Sequence, residues 1–409
     1  MRVLTYGCSF NRADSDAMAA ALGKTKADVV VYNTCCVKDA TEQKILNALR
    51  REKNPVVVTG CLAEAEPGKI LRARPDASLV GISQQYRIAD AVKSAARGKP
   101  VRWLGKGKRK LEAFCDGAFA RIRICEGCLG ACSFCETRIA RGGLRSYGVR
   151  EIRLAAERCV RNGAKELQLC AQDDGAYGKD IGASLPELTA ELNKVPGDFR
   201  VRIGMLNPEH ALRVLSAFSP PKVYKFLHIP VQSGSDTVLR KMRRPYTVAA
   251  FRRTIASYRK KYPRITIVTD VIVGFPGETE ADFKKTMDLL REIRFDIVNI
   301  SKYSARPGTK AALLPQVPNF VIKKRSEEAS AFCRAMSEEK NREWIGWEGD
   351  ALFLDKLKDG TVGGRNDSYK SIAIKGAKIG ETRRVKVVGA THACLLATSR
   401  EVAAPRRTC

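Results

Sequence analysis

The sequence predicts an α/β chain in three parts. These are a parallel α/β domain over 1–100, a partial barrel of six βα repeats over 117–340, and a small antiparallel β-barrel over 342–402. Two patterns carry this prediction. Short β-branched runs alternate with helical periods up to about residue 340, as in parallel sheets covered by helices. The tail instead carries short alternating strands with Gly turns and no helical period. The length of 409 residues suits two or three domains at about 150 residues each. Hydrophobic residues at 44% and charged residues at 29% exclude a disordered chain.

The elements follow in order. VLTYG (3–7), VVVYNT (29–34) and VVVTG (56–60) read as strands, each followed by a cysteine: Cys8, Cys35 and Cys61. Helical periods lie at about 12–22, 39–52 and 62–72. In such a domain ligands gather at the carboxyl ends of the strands, so the three thiols are expected to meet. Residues 97–118 read as a linker rich in Gly and Lys. Strand candidates of the second part are 119–125, 166–172, 201–206, 225–232, 265–275 and 296–303. Helical patterns between them include 148–162, 236–260 and 279–293, and a long helix over 323–346 closes the part. Six repeats predict an open barrel, since a closed one needs eight.

No apolar run approaches the ~18–20 residues that span a bilayer. Met1 leads into RVLTYGC without the basic and apolar regions of a secretory signal. The expectation is a cytoplasmic chain with no membrane partner. Lys and Arg number 73 against 44 Asp and Glu, a net charge of +29. A charge that large favours a polyanionic partner, nucleic acid first. Fourteen cysteines in such a chain point to buried thiols or metal ligands, because a cytosol keeps thiols reduced.

Cys128, Cys132 and Cys135 form C-x3-C-x2-C after the first barrel strand, with Cys125 three residues upstream. The spacing is too tight for the paired ligands of a zinc finger, which sit ~12–20 residues apart. It also differs from the ferredoxin run. It suits three corners of one cubane iron–sulfur cluster, with the fourth iron left for an exogenous ligand. Phe134 lies inside the loop, and Gly127 and Gly130 permit a tight wrap. Cys125 is expected to be an ordinary strand residue.

The loop GCLGACSFCETRIARGGLRSY resembles the cluster loop of radical S-adenosylmethionine (SAM) enzymes, and more narrowly that of the methylthiotransferase family. YGCSFNRADSD, NTCCVKDATEQK and VVVTGCLAEAEP resemble that family's N-terminal domain. FLHIPVQSGSDTVLRKMRRPYT, TDVIVGFPGETEADF and YSARPGTKAA resemble its radical SAM core, and the tail its TRAM RNA-binding domain. The resemblance implies two 4Fe-4S clusters and SAM. The second cluster falls on Cys8, Cys35 and Cys61. Cys36 rivals Cys35, but Asn33-Thr34-Cys35 with Val37 fits the family pattern, and adjacent strand-end residues point oppositely. Cys115, Cys159, Cys170, Cys333, Cys394 and Cys409 lack partners at ligand spacing.

The implied reaction replaces an aromatic C–H of adenine by C–S–CH3, a bond that yields only to radical chemistry supplied by the cofactors. Both clusters are expected to face one cavity between the N-terminal domain and the barrel mouth. No catalytic side chain is assigned. At the strand ends around that mouth, Gln172, Asp173, Gln232, Ser233 and Asp270 are candidate cofactor contacts beside Phe134, because polar groups there are more often functional than structural. The Gly274–Glu278 turn belongs to the same rim, and His228 reads as a satisfied core residue.

Family members modify tRNA or a ribosomal protein. Residues 236–264 hold ten basic residues and one acidic, a stripe suited to phosphates. GCLGACSFCETRIARG, QDDGAYG and VYKFLHIPVQSGSD resemble the archaeal and eukaryotic branch, which acts on N6-threonylcarbamoyladenosine in the tRNA anticodon stem-loop. Asp174 stands where that branch is expected to carry Thr. The alternatives are a methylthiotransferase for isopentenyladenosine tRNA or for a ribosomal protein, and a non-catalytic iron–sulfur RNA-binding protein. The reaction also needs an electron donor and a sulfur source.

Overall fold

The computed structural model describes all residues except 24, 26, 38, 106, 108–110, 112, 113, 359 and 400–409. It divides into two compact units: 1–222 with 239–245 and 303–316, and 223–238 with 246–302 and 317–409.

The first unit opens on a five-stranded sheet, β1 (Arg2–Thr5), β2 (Val30–Thr34), β3 (Val56–Gly60), β4 (Ser78–Val80) and β5 (Arg102–Trp103). The strands lie in that order and all run parallel. Val30, Tyr32, Val56, Val58 and Leu79 meet Ile45, Leu46 and Leu49 of α2 (Asp39–Arg51), Leu62 of α3 (Cys61–Ala65) and Ile70 of α4 (Pro67–Ala73). Val31, Val57 and Val80 meet Met18 and Leu22 of α1 (Ser9–Leu22) and Ile88, Ala91 and Val92 of α5 (Ile88–Ala96). Each fully buried aliphatic side chain contributes about 1.5–3 kcal/mol.

Two expectations change here. The helix read over 62–72 is two helices, because Pro67 cannot donate to the preceding turn and instead opens α4. The stretch 97–118 is not simply a linker. Arg102–Trp103 forms the edge strand β5, with Gly81 N–H donating to the Trp103 carbonyl at 2.6 Å. Phe114–Asp116 forms β6. Six of the linker residues lie outside the described set.

The same unit holds a second sheet in the order β11 (Arg200–Arg202), β10 (Glu166–Cys170), β7 (Phe119–Arg123), β6. β7, β10 and β11 are parallel, and β6 is antiparallel to β7. β8 (Cys125–Glu126) pairs antiparallel with β9 (Arg145–Ser146), one strand at each end of the loop that carries Cys128, Cys132 and Cys135. The helices are α6 (Glu136–Arg141), α7 (Val149–Arg161), α8 (Leu185–Asn193) and α9 (Pro208–Ala211).

The second unit carries three parallel strands, β12 (Phe226–His228), β13 (Thr266–Val273) and β14 (Ile297–Lys302). The six parallel strands expected of the barrel are thus present, three in the four-stranded sheet of the first unit and three in the sheet of the second. The helix read over 236–260 is broken into α10 (Asp236–Lys241) and α11 (Val248–Lys261). Arg243 at φ 58° and Pro245 interrupt it, and Thr247 caps α11 by accepting from Ala250 N–H. α12 (Glu280–Ile293) opens on a Thr279/Asp282 capping box. α13 (Asn319–Arg342) starts and ends four residues earlier than the periodicity placed it.

β15 (Glu348–Lys356), β16 (Thr361–Arg365), β17 (Ser371–Lys375), β18 (Thr382–Ala390) and β19 (Leu395–Ser399) close a barrel in the order β15-β16-β17-β19-β18. One pair, β17 and β19, runs parallel; the rest are antiparallel as expected. Ala351, Phe353, Ile372, Ile374, Val385, Val387 and Leu395 fill it.

Candidate functional site: two thiol triads

Parallel strands place their carboxyl ends at one edge. In the first sheet Cys8 precedes α1, Cys35 follows β2 directly, and Cys61 opens α3 after β3. Gly7, at φ 102°, lies against Cys35: a Cβ there would stand 2.7 Å from the Cys35 sulfur. Only glycine brings these two loops so close. Asn11 of α1 ties the loops together, donating to the carbonyls of Tyr6 (3.0 Å) and Thr34 (2.8 Å). Cys8 is exposed, and Cys35 and Cys61 are buried. Cys36 is fully buried in the apolar cluster that also holds Leu62 and Ala63.

The electrostatics single out Cys61. The Cys36 thiol donates to it, and the Arg141 guanidinium beside it favours the thiolate; against burial, they hold its pKa below the ordinary thiol range. Burial raises Cys35 to about 12.

In the second sheet the carboxyl ends of β7, β10 and β11 lead to the C-x3-C-x2-C loop, to Gln172 and Asp173, and to Asn207. Gly127, at φ 73°, starts the loop where a Cβ would stand 2.0 Å from the Gly143 carbonyl oxygen. Its N–H donates to Gln172 Oε1 at 2.7 Å. Gly130 N–H donates to Cys128 Sγ at 3.2 Å, and Arg138 of α6 holds the Cys128 carbonyl at 2.6 Å. Arg244 donates to Cys132 Sγ at 3.1 Å and to Asn207 Oδ1 at 3.0 Å. Asn207 in turn donates to Asp173 Oδ2 at 2.8 Å and lies 3.8 Å from Cys128 Sγ. Cys128, Cys132, Cys135 and Phe134 are all half-buried. Cys125 is fully buried, off the loop, against the Asp173 carbonyl.

Asp173 is fully buried and accepts from Gly175 N–H and Asn207 N–H, both at 3.0 Å. It organises the strand-end loops. Of the sequence candidates in the second unit, Ser233 is also fully buried and caps its own turn by accepting from Ser235 N–H. Gln232 is held at φ 66°, a conformation disfavoured without glycine, by paired backbone bonds to Asp270 and Ile272. Asp270 accepts from Asn299 Nδ2 at 2.7 Å and lies 2.9 Å from His228 Nε2. His228 is therefore a half-buried partner of a candidate site residue, not a core histidine. Glu278 holds its turn by accepting from Gly274 N–H and pairing with Arg325.

Sequence reasoning missed Asn207, Arg141 and Arg244. The two arginines stand inside quoted motifs, but an arginine reads as surface charge until burial is known; Arg141 is 1% exposed. Asn207 had one signal, its place just after a barrel strand.

Among the described residues, no group of three or more His, Cys, Asp or Glu is placed to hold a single metal ion. A cubane asks for something else: one thiolate per iron, with N–H groups directed at the sulfurs. Each triad supplies three thiols and such donors: Gly130, Arg244 and Val37 N–H (3.5 Å to Cys35 Sγ), and Arg141 (3.3 Å to Cys61 Sγ). Both donor sets fit the group.

Residues 122–290 match the radical SAM superfamily, and residues 1–81 match the family described as "Uncharacterized protein family UPF0004". The thiol loop lies inside the first match, which makes this a radical SAM protein. Among solved structures, the radical SAM methyltransferase TsrM of Kitasatospora setae superposes with a TM-score of 0.52 at 14% identity, covering 74% of this chain and 67% of that one. The cobalamin-dependent radical enzyme OxsB gives 0.50 at 10% identity, over 83% and 56%. Both likenesses concern the fold. Three curated relatives are closer in sequence. Two are named "Probable threonylcarbamoyladenosine tRNA methylthiotransferase": that of Pyrococcus horikoshii is 39% identical over 96% of this chain and 97% of its own, and that of Archaeoglobus fulgidus 41% over 94% of each. The Mus musculus threonylcarbamoyladenosine tRNA methylthiotransferase is 39% identical over 80% of this chain and 61% of its own. The chain belongs to the threonylcarbamoyladenosine tRNA methylthiotransferase family.

Proposed function

We infer that the chain converts N6-threonylcarbamoyladenosine in tRNA to its 2-methylthio derivative. The observation that carries this reading is the pair of thiol triads in one compact unit of a chain from that family. One triad alone would serve many radical SAM reactions; sulfur transfer calls for a second cluster. When bound, two 4Fe-4S clusters and SAM supply the radical and the methylated sulfur.

The chain's own residues hold and orient. Cys128, Cys132 and Cys135 hold one cluster, with Arg244 and Gly130 N–H directed at its thiolates. Cys8, Cys35 and Cys61 hold the other. Gln172 and Asp173 set the loop that presents the first triad. Gln232 and Asp270 with His228 and Asn299 form a polar row suited to contacts with SAM or the modified base. The target adenine must leave its stack to expose ring carbon 2, at a cost of a few kcal/mol.

The partner is the tRNA anticodon stem-loop, with a one-electron donor and a sulfur source completing the reaction. No helix among the described residues is long and apolar enough to cross a membrane, and we place the reaction in the cytoplasm, where tRNA and reduced thiols coincide. Nucleoside analysis of tRNA from a strain lacking the gene tests the reading. Loss of 2-methylthio-N6-threonylcarbamoyladenosine with its unthiolated parent accumulating is expected. Loss of an isopentenyladenosine derivative instead would overturn it.

A further inference from the structure

Arg141 ends the short helix α6, whose N-terminal cap is Cys135. Its side chain leaves that loop and enters the other thiol site. Nε donates to Cys61 Sγ at 3.3 Å, and Nη2 donates to Asp14 Oδ2 at 2.6 Å and Asn11 Oδ1 at 2.9 Å. The guanidinium carbon stands 4.3 Å over the Phe10 ring. Phe10, Asn11 and Asp14 all come from α1, the helix that Cys8 precedes. One fully buried cation therefore contacts a thiol ligand of one site and the helix behind a second ligand, while its backbone follows the thiol loop of the other.

A purely structural pairing would look different. Arginine ordinarily meets a carboxylate with two parallel N–H bonds. Here the fork is divided, and Asp14 takes one arm only. Its other oxygen is engaged by Arg123 at 3.1 Å. The Nε donor is spent on sulfur. An N–H bond and a positive charge at a cluster thiolate favour the reduced, more negative cluster, and the low local dielectric strengthens both effects.

We propose that Arg141 is a positioning residue joining the two thiol sites, and that it raises the reduction potential of the cluster held by Cys8, Cys35 and Cys61. This rests on the reading that those three cysteines hold a cluster. Arg141 fixes Cys61 within reach of Cys8 and Cys35, and Asp14 sets how much of its charge the sulfur feels. The two residues therefore act on the potential with opposite sign.

The test uses the full chain, reconstituted anaerobically, with Cys128, Cys132 and Cys135 all replaced by Ala so that only one site remains. Iron content and an EPR-monitored redox titration are the readouts. Arg141→Met should move the midpoint potential down and Asp14→Asn should move it up. A structural role would not give opposite shifts. Potentials that coincide with the parent's, or that move together while iron stays full, overturn the proposal. Should Arg141→Met lose its iron, Asp14→Asn decides: an upward shift supports the role and an unmoved potential overturns it. Absence of iron in the parent itself would instead overturn the underlying cluster assignment.

Discussion

Asp174 shows what burying a single carboxyl costs when a nearby Arg202 and backbone N–H groups do not outweigh the burial. It is fully buried, accepts from Gly204 N–H at 2.6 Å through Oδ2, and its Oδ1 has no hydrogen-bond partner among the described residues. Burial raises its pKa to about 8. An unfolded carboxyl titrates near ~3.9. The folded value is the higher one, so this group favours folding below the unfolded pKa, and the contribution is lost as pH rises towards 8. Asn has the same shape and does not titrate. Asp174→Asn should therefore raise the thermal midpoint of the cluster-free chain by several degrees at pH 8 and by much less at pH 5, where only the first part of the loss has occurred. Equal midpoints at both pH values would show the carboxylate to be stabilised in some other way. The sequence did mark this position, as a departure from QDTGAYG, but could not give the burial that makes the departure costly.

At the scale of elements, what was legible depended on periodicity. The strands that carry the cysteines and the six barrel strands follow β-branched runs, α7 and α12 follow a sustained 3.6-residue period, and all lie within a few residues of their expected places. What failed was short or broken. β4, β5 and β6 have two or three residues each, too few for a pattern. The splits at Pro67 and at Arg243–Pro245 depend on single backbone positions inside an otherwise continuous period. The site was legible to a similar degree. Cysteine spacing is local and survives in the sequence, whereas Asn207 and Arg244 join the loop only through contacts with residues far along the chain. The two triads also make separate predictions. Alanine at Cys128, Cys132 and Cys135 should halve the iron bound per chain and abolish reductive SAM cleavage. Alanine at Cys8, Cys35 and Cys61 should also halve the iron but leave cleavage uncoupled from sulfur transfer. Cys36→Ala should keep the full iron; iron lost there but kept in Cys35→Ala would reverse the assignment of those neighbours.

Within the second unit the C-terminal barrel is fastened to β12–β14 and α13. Lys370, buried, reaches Asp296 at 2.7 Å and Asn341 of α13 at 3.0 Å. Tyr369 packs on Tyr224 and Phe226 with ring centroids 4.8 and 4.7 Å apart. Removing one partner of a buried pair costs about 3–5 kcal/mol, while replacing both is close to neutral. Lys370→Met alone should thus lower the unfolding free energy by several kcal/mol, and pairing it with Asp296→Asn should recover most of the loss. The same attachment makes deletion of the barrel a poor probe of RNA binding, since it would bare Asp296, Tyr224 and Phe226. Surface charge is the cleaner variable. Lys375, Lys378 and Arg384 are exposed on the barrel, whereas Arg383 is drawn to Glu381 at 2.8 Å and is half-buried. If the barrel supplies phosphate contacts, each lost contact reduces the dependence of log affinity on log salt by roughly 0.7–0.9. Replacing Lys375, Lys378 and Arg384 together by Gln should weaken tRNA binding about tenfold or more at low salt and flatten the salt slope by about two to three. Replacing Arg383 alone should not flatten it, because its charge is already answered. Binding measured across a salt series, with iron content as the control for folding, separates the outcomes. An unchanged slope in the triple variant would mean that the barrel packs against its neighbours without touching RNA, and that the basic face of α11, where Arg253, Lys260 and Lys261 are exposed, carries the contacts instead.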